Sequence, residues 1–185
     1  MSKPLRGDAG LTDLSDKCDL PKYDQRFEVL GTLDEASSAL GVVRASDASA
    51  ETRDLLLAIQ HDLCWMMSEL ALMASEGRPE PHITPARLRV LEDAYHAATA
   101  AHPLGSTFAV PGDSMAGALL HLARTIVRRA ERHAVLLNAE SPLPNPHIIP
   151  YLNRLSTLMF ALVRVEEARM GVSEPTLMRS PNEVC

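Results

Sequence analysis

The stretch that decides the fold runs from Glu51 to Ser75, ETRDLLLAIQHDLCWMMSELALMAS. Within it Leu56, Ile59, Leu63, Met66, Leu70 and Met73 recur at alternating steps of three and four. That spacing keeps them on one face of a helix with 3.6 residues per turn. The same rhythm continues on both sides. Upstream, from about Asp24 to Ala45, it is carried by Val29, Leu33, Ala36, Leu40 and Val43. Downstream, Thr84 is an N-cap candidate and Pro85 fits the first helical position, where a missing N–H costs nothing. The core stripe of that third helix is Leu88, Leu91, Tyr95 and Ala98. A fourth helix, from Asp113 or Ser114 to about Leu137, is expected to turn Met115, Leu119, Leu122, Ile126 and Ala130 inward. A fifth, from about Pro146 to Met170, uses Ile148, Leu152, Leu155, Met159 and Leu162. Helices of this length each span roughly 30 to 38 Å. Five of them, joined by short Pro- and Gly-containing connections, predict an all-α, up-and-down bundle.

The rest of the chain divides around that bundle. Residues 1–23 hold Pro4, Gly7, Gly10, Pro21 and several aspartates without a helical period, so they read as an arm. Residues 24–170 are the bundle, and residues 171–185 are expected to be a flexible tail. A chain of 185 residues with 46% hydrophobic content has enough apolar surface for one core. A net charge of −6 argues against a general nucleic-acid binder, which needs a basic footprint. Met1 to Gly10 lacks the apolar run of a signal peptide, and no stretch reads as a membrane span. Cys18, Cys64 and Cys185 form neither a disulfide framework nor a zinc pattern, which suits a reducing, cytoplasmic setting.

The charge that does cluster lies on the fourth helix. Arg124, Arg128 and Arg132 stand at i, i+4 and i+8 and form one cationic stripe, with Arg129 and Glu131 beside it. Arginines so placed fork onto carboxylates or phosphates. A solvated, salt-bridged helix face is an equal reading of the spacing, and Asp34 and Glu35 on the first helix are candidate partners. In the arm, Gly7 and Gly10 let a turn present backbone N–H groups to an anion, with Arg6, Thr12 and Lys22 nearby. Asn153 on the fifth helix needs hydrogen-bond partners if near the core and is an ordinary surface amide otherwise. Phe108, in the loop before Pro111 and Gly112, reads by itself as a loop anchor. No histidine stands in the Glu-x-x-His or His-Glu-x-x-His spacing of metal bundles, so no protein metal site is expected.

Taken in order, these segments resemble the trimeric five-helix ATP:cob(I)alamin (corrinoid) adenosyltransferases. The resemblance runs through Lys22-x-Asp24-x-Arg26-x-Glu28, then Gly31-Thr32-Leu33-Asp34-Glu35 and Ile59-Gln60-His61-Asp62-Leu63. It continues through Phe108-x-x-Pro111-Gly112 and His121-x-Ala123-Arg124-Thr125-x-x-Arg128-Arg129-Ala130-Glu131-Arg132, and ends with Tyr151-Leu152-Asn153-Arg154-Leu155-Ser156. It implies a ferritin-like helical bundle, a homotrimer, and transfer of the 5′-deoxyadenosyl group of ATP to the cobalt of reduced cobalamin, with release of triphosphate. Magnesium would accompany the triphosphate, and an adenosylcobalamin-dependent enzyme would receive the product. By the same resemblance Phe108 lies against the lower corrin face, and Asp34 pairs with Arg124 across a subunit interface. Arg128, Arg129, Glu131, Arg132 and Asn153 match the nucleotide-binding positions. Arg6, Gly7, Thr12 and Lys22 match the phosphate-wrapping arm.

The arm also departs from the family pattern. Pro4, Leu5 and Arg6 replace a Thr-basic-Thr run, which removes two hydroxyl donors. Asp13 stands where a small residue is usual and Asp19 where an arginine is usual. A carboxylate about 7 Å from a phosphate costs on the order of 2 kcal/mol at an effective dielectric of 20. Asp113 replaces the second glycine of Pro-Gly-Gly. A second expectation therefore stands beside the first: a non-catalytic paralogue that binds or delivers a corrinoid or another ligand on the same scaffold.

Overall fold

Three of the five helices begin where a short polar side chain takes an otherwise unpaired backbone N–H. The computed structural model describes residues 5–75, 80–105 and 109–178, apart from the Arg6 side chain. In it Asp24 caps α1 (Gln25–Ala45) by accepting from the Arg26 N–H. Ser49 caps α2 (Ala50–Ala71) through Thr52, and Ser114 caps α4 (Met115–Glu140) through Gly117. Helix α3 (Pro85–Ala101) starts on Pro85, with Thr84 at the N-cap position but making no side-chain cap bond. Helix α5 (Ile148–Arg169) follows a turn pinned by buried Asn145. Its Nδ2 donates to Glu69 Oε2 at 2.6 Å and to the Ile83 carbonyl at 3.0 Å, and its Oδ1 accepts from the His147 N–H at 3.0 Å.

Side-chain pairs between helices set their directions. Gln25 Nε2 lies 3.1 Å from His133 Nδ1, and Glu35 pairs with Arg129, so α1 and α4 are antiparallel. Arg87 near the start of α3 donates to Asp62 in the second half of α2, which fits an antiparallel pair. Glu92–Arg154 early in both helices, with Ala98 and Leu162 lining one groove further along, makes α3 and α5 parallel. Successive helices alternate in direction, and the up-and-down order is as expected. Helix α5 carries a long apolar stretch. By length and composition it is long enough to cross a membrane, which corrects the expectation that no stretch is, but it is the core helix packed against α3 and α4.

The core stripes of α1 and α2 are the expected ones as far as Leu70, with Val29 to Val43 and Leu56 to Leu70 buried. Helix α2 ends at Ala71, and Met73, in the turn beyond it, is only partly buried. On α4 only Ala130 of the expected stripe is fully buried. Met115 and Leu122 are 65% and 55% exposed, while Leu119 and Ile126 are only partly buried. The buried face is Ala116, Leu120, Ala123, Val127, Ala130, Ala134 and Leu137. These also recur in steps of four and three, but four of the seven are alanines. Small residues let α4 lie close to both α1 and α5. At Gly117 a Cβ would sit 2.8 Å from Ser114 Oγ and 3.2 Å from Glu167 Cγ. The bulky apolar residues are therefore left on the outer side of α4.

The arm is not irregular. After a 3-10 turn, Arg6–Ala9, it forms an antiparallel hairpin of β1 (Leu11–Leu14) and β2 (Lys17–Pro21). The register shifts between Thr12 and Leu14, and Asp19 adopts φ 57° at that irregularity. Asp tolerates the left-handed region better than most residues. Asp13 Oδ1 accepts the Asp19 N–H at 2.9 Å and supports the kink. Asp16 ties the hairpin to the bundle, accepting the Ala74 N–H at 2.7 Å and pairing with buried Arg26 at 3.6 Å. The tail also differs from expectation as far as Met178. Ala109 bridges Leu177, the Val110 N–H donates to the Thr176 carbonyl at 2.7 Å, and Asp113 accepts both the N–H and the hydroxyl of Thr176.

Candidate functional site

The cationic stripe and the fifth-helix amide meet on the outer side of α4 and α5. Arg128, Glu131, Arg132 and Val135, all on α4, line an open cavity of about 310 Å³ together with Asn153 of α5. Asn153 is exposed, and its Nδ2 donates to Glu131 Oε1 at 3.0 Å. Arg132 Nη1 donates to the Arg128 carbonyl at 3.0 Å, one turn back along α4. Arg129, pointing elsewhere, pairs with Glu35. Four of the residues expected to bind nucleotide are thus brought into one cavity and the fifth stands at its side. Val135 was missed, although its place one turn after Glu131 and Arg132 was the available signal.

Whether the stripe is a salt-bridged surface can now be decided. Among the described residues, Arg124, Arg128 and Arg132 have no carboxylate partner within the chain. Arg124 Nε is buried and makes no hydrogen bond. Burial, and then the charge of Arg128, lower the Arg124 pKa below its ordinary value. An anion arriving from outside the chain would relieve both effects. Guanidiniums without a carboxylate partner can fork onto carboxylates or phosphates, bidentately where geometry permits.

Asp34 is exposed on α1 and has no partner in its own chain among the described residues, so the expected Asp34–Arg124 pair does not form within one subunit. One turn before Arg124, His121 is 4% exposed and neither ring nitrogen has a hydrogen-bond partner. Its ring meets Phe160 edge to face, with centroids 6.0 Å apart. Burial, then Arg124, lower the His121 pKa and favour the neutral imidazole. Phe108 and the Arg6 side chain lie outside the described residues.

The arm residues gather separately. Lys22 Nζ donates to the Gly7 carbonyl at 2.8 Å, and a Cβ at Gly7 would stand 3.1 Å from that nitrogen. Gly10, at φ 76°, ends the 3-10 turn and accepts the Lys22 N–H at 2.9 Å. Thr12 pairs with Leu20 in the hairpin. Among the described residues no hydrogen bond or ion pair joins Gly7, Thr12 or Lys22 to the α4 cavity. Within one chain the arm residues and the α4 cavity are two separate polar groups.

Known proteins are similar to this chain over the same elements. The protein-family model described as Cobalamin adenosyltransferase matches residues 5–166. A corrinoid adenosyltransferase of Bacillus subtilis is 37% identical over 186 residues, covering 94% of this chain and 90% of that protein. The corrinoid adenosyltransferase PduO of Citrobacter freundii is 38% identical over 162 residues, 87% of this chain, and this chain spans about half (48%) of its length. Among solved structures, a variant PduO-type ATP:corrinoid adenosyltransferase from Lactobacillus reuteri complexed with cobalamin and ATP superposes with a TM-score of 0.87 at 29% identity. The match covers 95% of this chain and 97% of that one. With the family model matched from the arm to α5 and a relative 37% identical over nearly the whole of both chains, this chain belongs to the cobalamin adenosyltransferase family.

Proposed function

We propose that the protein transfers the 5′-deoxyadenosyl group of ATP to the cobalt of a reduced corrinoid. The observation that carries this reading is the α4 cavity, where Arg128 and Arg132 face outward without carboxylate partners beside Asn153 and Glu131. In the reaction, cobalt(I) attacks C5′ of ATP and forms the cobalt–carbon bond. The C5′–oxygen bond breaks, and triphosphate leaves with that electron pair. Arg128 and Arg132 are assigned to the phosphates, where fixed cations stabilise the charge that builds on the leaving group. Arg129, whose charge is balanced by Glu35, stands beside them and is assigned to the rim of the same site. Asn153 and Glu131 orient the nucleoside end, so that the protein's contribution is largely positional.

The arm would close the phosphate site from a neighbouring subunit. This accounts for the separation of Gly7, Thr12 and Lys22 from the α4 cavity in one chain, and for the unpaired Asp34 and Arg124. In a homotrimer, Asp34 of one subunit pairs with Arg124 of the next, and the exposed outer face of α4 around Met115 and Leu122 is covered. Phe108 is assigned to the lower corrin face, where it keeps an axial ligand off cobalt; an outside electron donor supplies cobalt(I). Among the described residues no three His, Cys, Asp or Glu side chains cluster to hold a metal. Magnesium would enter on the triphosphate, in keeping with its preference for phosphate oxygens and water.

One assay tests the reading. Protein, magnesium-ATP and chemically reduced cob(I)alamin should give the adenosylcobalamin spectrum and one triphosphate per turnover. Corrinoid binding without product would instead establish the non-catalytic paralogue, for which the altered arm at Pro4, Leu5, Arg6, Asp13 and Asp19 is the motive.

A further inference from the structure

We propose that Glu131 is a positioning residue. It fixes the amide of Asn153 as a hydrogen-bond acceptor, so that the site selects its nucleotide by a donor group. The inference rests on the nucleotide reading of the α4 cavity and adds what that reading does not specify, namely which end of the amide meets the ligand. A carboxylate accepts hydrogen bonds and does not donate them, so the amide group 3.0 Å from Glu131 Oε1 has to be the Nδ2 amino group. That settles the orientation of Asn153 chemically. Its Oδ1 then projects from the other side of the planar amide, with no protein donor upon it among the described residues.

The consequence for a ligand is specific. Arg128 and Arg132 offer only donors and take the acceptor-rich phosphates. Asn153 lines the same cavity, and its Oδ1 is a neutral acceptor that requires an N–H or O–H from whatever lies against it. In ATP the groups that qualify are the 6-amino group of adenine and the ribose hydroxyls. A 6-oxo purine would set a carbonyl oxygen against the amide oxygen, and a deoxyribose would leave it unmatched. Without Glu131 the amide is free to rotate and offer Nδ2, and the preference for a donor disappears.

The test compares kcat/KM for ATP, inosine triphosphate, 2′-deoxy-ATP and 3′-deoxy-ATP in the wild type, Glu131→Gln and Asn153→Ala, with melting temperatures measured alongside. In the wild type, the analogue that lacks the matching donor should lose about tenfold or more, the value of one well-placed hydrogen bond. Inosine triphosphate identifies the base as the source of the donor and the deoxy analogues identify the sugar. Glu131→Gln, whose amide can donate to a rotated Asn153, should lower that discrimination at least about fivefold while still using ATP. Asn153→Ala should bring the ratio close to one. Either variant keeping the wild-type ratio while folded and active overturns the positioning role, as does a wild type indifferent to every analogue. If the wild type adenosylates no corrinoid with any nucleotide, the catalytic reading has failed instead. Calorimetric binding of the same four magnesium nucleotides then reads the same ratios.

Discussion

Two regions of the bundle handle charge in opposite ways. At the C-terminal end of α5, Glu166 is fully buried and every approach to it is a donor. Ser49 gives its N–H at 3.1 Å and its hydroxyl at 2.8 Å, and Arg169 Nε lies at 2.9 Å. Burial works to raise the Glu166 pKa, but the bonds from Thr52, Ser49 and Arg169 outweigh it and hold the pKa below the ordinary value. Its neighbour Glu167 is paired with Arg164, and there burial prevails and raises the pKa. Midway along α4, by contrast, Arg124, Arg128 and Arg132 have no carboxylate partner among the described residues. A charge closed on its own chain holds elements together; a row of open charges requires something from outside.

The comparison breaks most directly at Arg128. Arg128→Ala should lower kcat/KM by about 10²- to 10³-fold, roughly 3–4 kcal/mol, the usual loss when one donor to a developing anion is removed. Its exposed side chain bonds nothing in the fold, so the melting temperature should move by no more than about 2 °C. Kinetics unchanged from the wild type would show that the open stripe is only surface charge.

Glu166→Ala is the converse experiment. It leaves the Ser49 N–H and Arg169 without their acceptor, and losing one member of a buried pair costs about 3 kcal/mol or more. A domain of this size should then melt about 6–12 °C lower. Binding of inorganic triphosphate, measured where the variant is folded and at fixed protomer concentration, should be unchanged. A large loss of triphosphate affinity in folded Glu166→Ala would mean the two regions are coupled rather than separate.

His121 sharpens the contrast through pH. Its folded pKa is depressed, so the unfolded chain takes up the proton more readily. Stability from this group is complete above the ordinary histidine pKa of about 6.5 and is lost as pH falls below it. Glu166 has the same sign but acts lower, in the carboxylate range. Melting temperatures taken from pH 7.5 to 5.5 should therefore fall in the wild type and fall less in His121→Gln. An equal slope in both would place the proton uptake elsewhere.

These regions were not equally legible. The fold was, because α1 and α2 announce their buried faces with large aliphatic residues at every turn. Helix α4 was misread because both of its sides are apolar, and the side that packs does so through Ala116, Ala123, Ala130 and Ala134. Close approach favours small residues, so size was a poor guide to burial. The hairpin was hidden by its brevity and by the kink at Asp19, which breaks strand alternation. Arg128, Arg132, Glu131 and Asn153 were readable as motif positions, and spacing explains the α4 members, since i, i+3 and i+4 share a helix face. What spacing does not supply is the bond between Asn153 and Glu131, which depends on the packing of α5 beside α4. Nor could it distinguish paired from unpaired arginines, since Glu35 was an equal candidate for any of them and the packing gave it to Arg129.

The smallest expected effect lies at Asp113, where an acid is closed but exposed. Both carboxylate oxygens accept from Thr176, at 2.7 Å each, and these bonds lower its pKa. By the rule that closed charges are structural, Asp113 should hold the tail against residues 109–113. By the rule that water weakens exposed contacts, it should contribute little to global stability. Asp113→Gly, which restores the second glycine of the family pattern, should shift the melting temperature by no more than about 2 °C. The local effect should be larger, because segments open independently of the whole fold. Hydrogen exchange at the Val110 amide, which donates to the Thr176 carbonyl, should speed up several-fold. In the wild type the same acceleration should appear only as pH falls through the lowered Asp113 pKa, after correction for intrinsic exchange. If Val110 stays protected in Asp113→Gly, the tail is held by the Ala109–Leu177 bridge instead, and closure by a carboxylate is not what orders this end of the molecule.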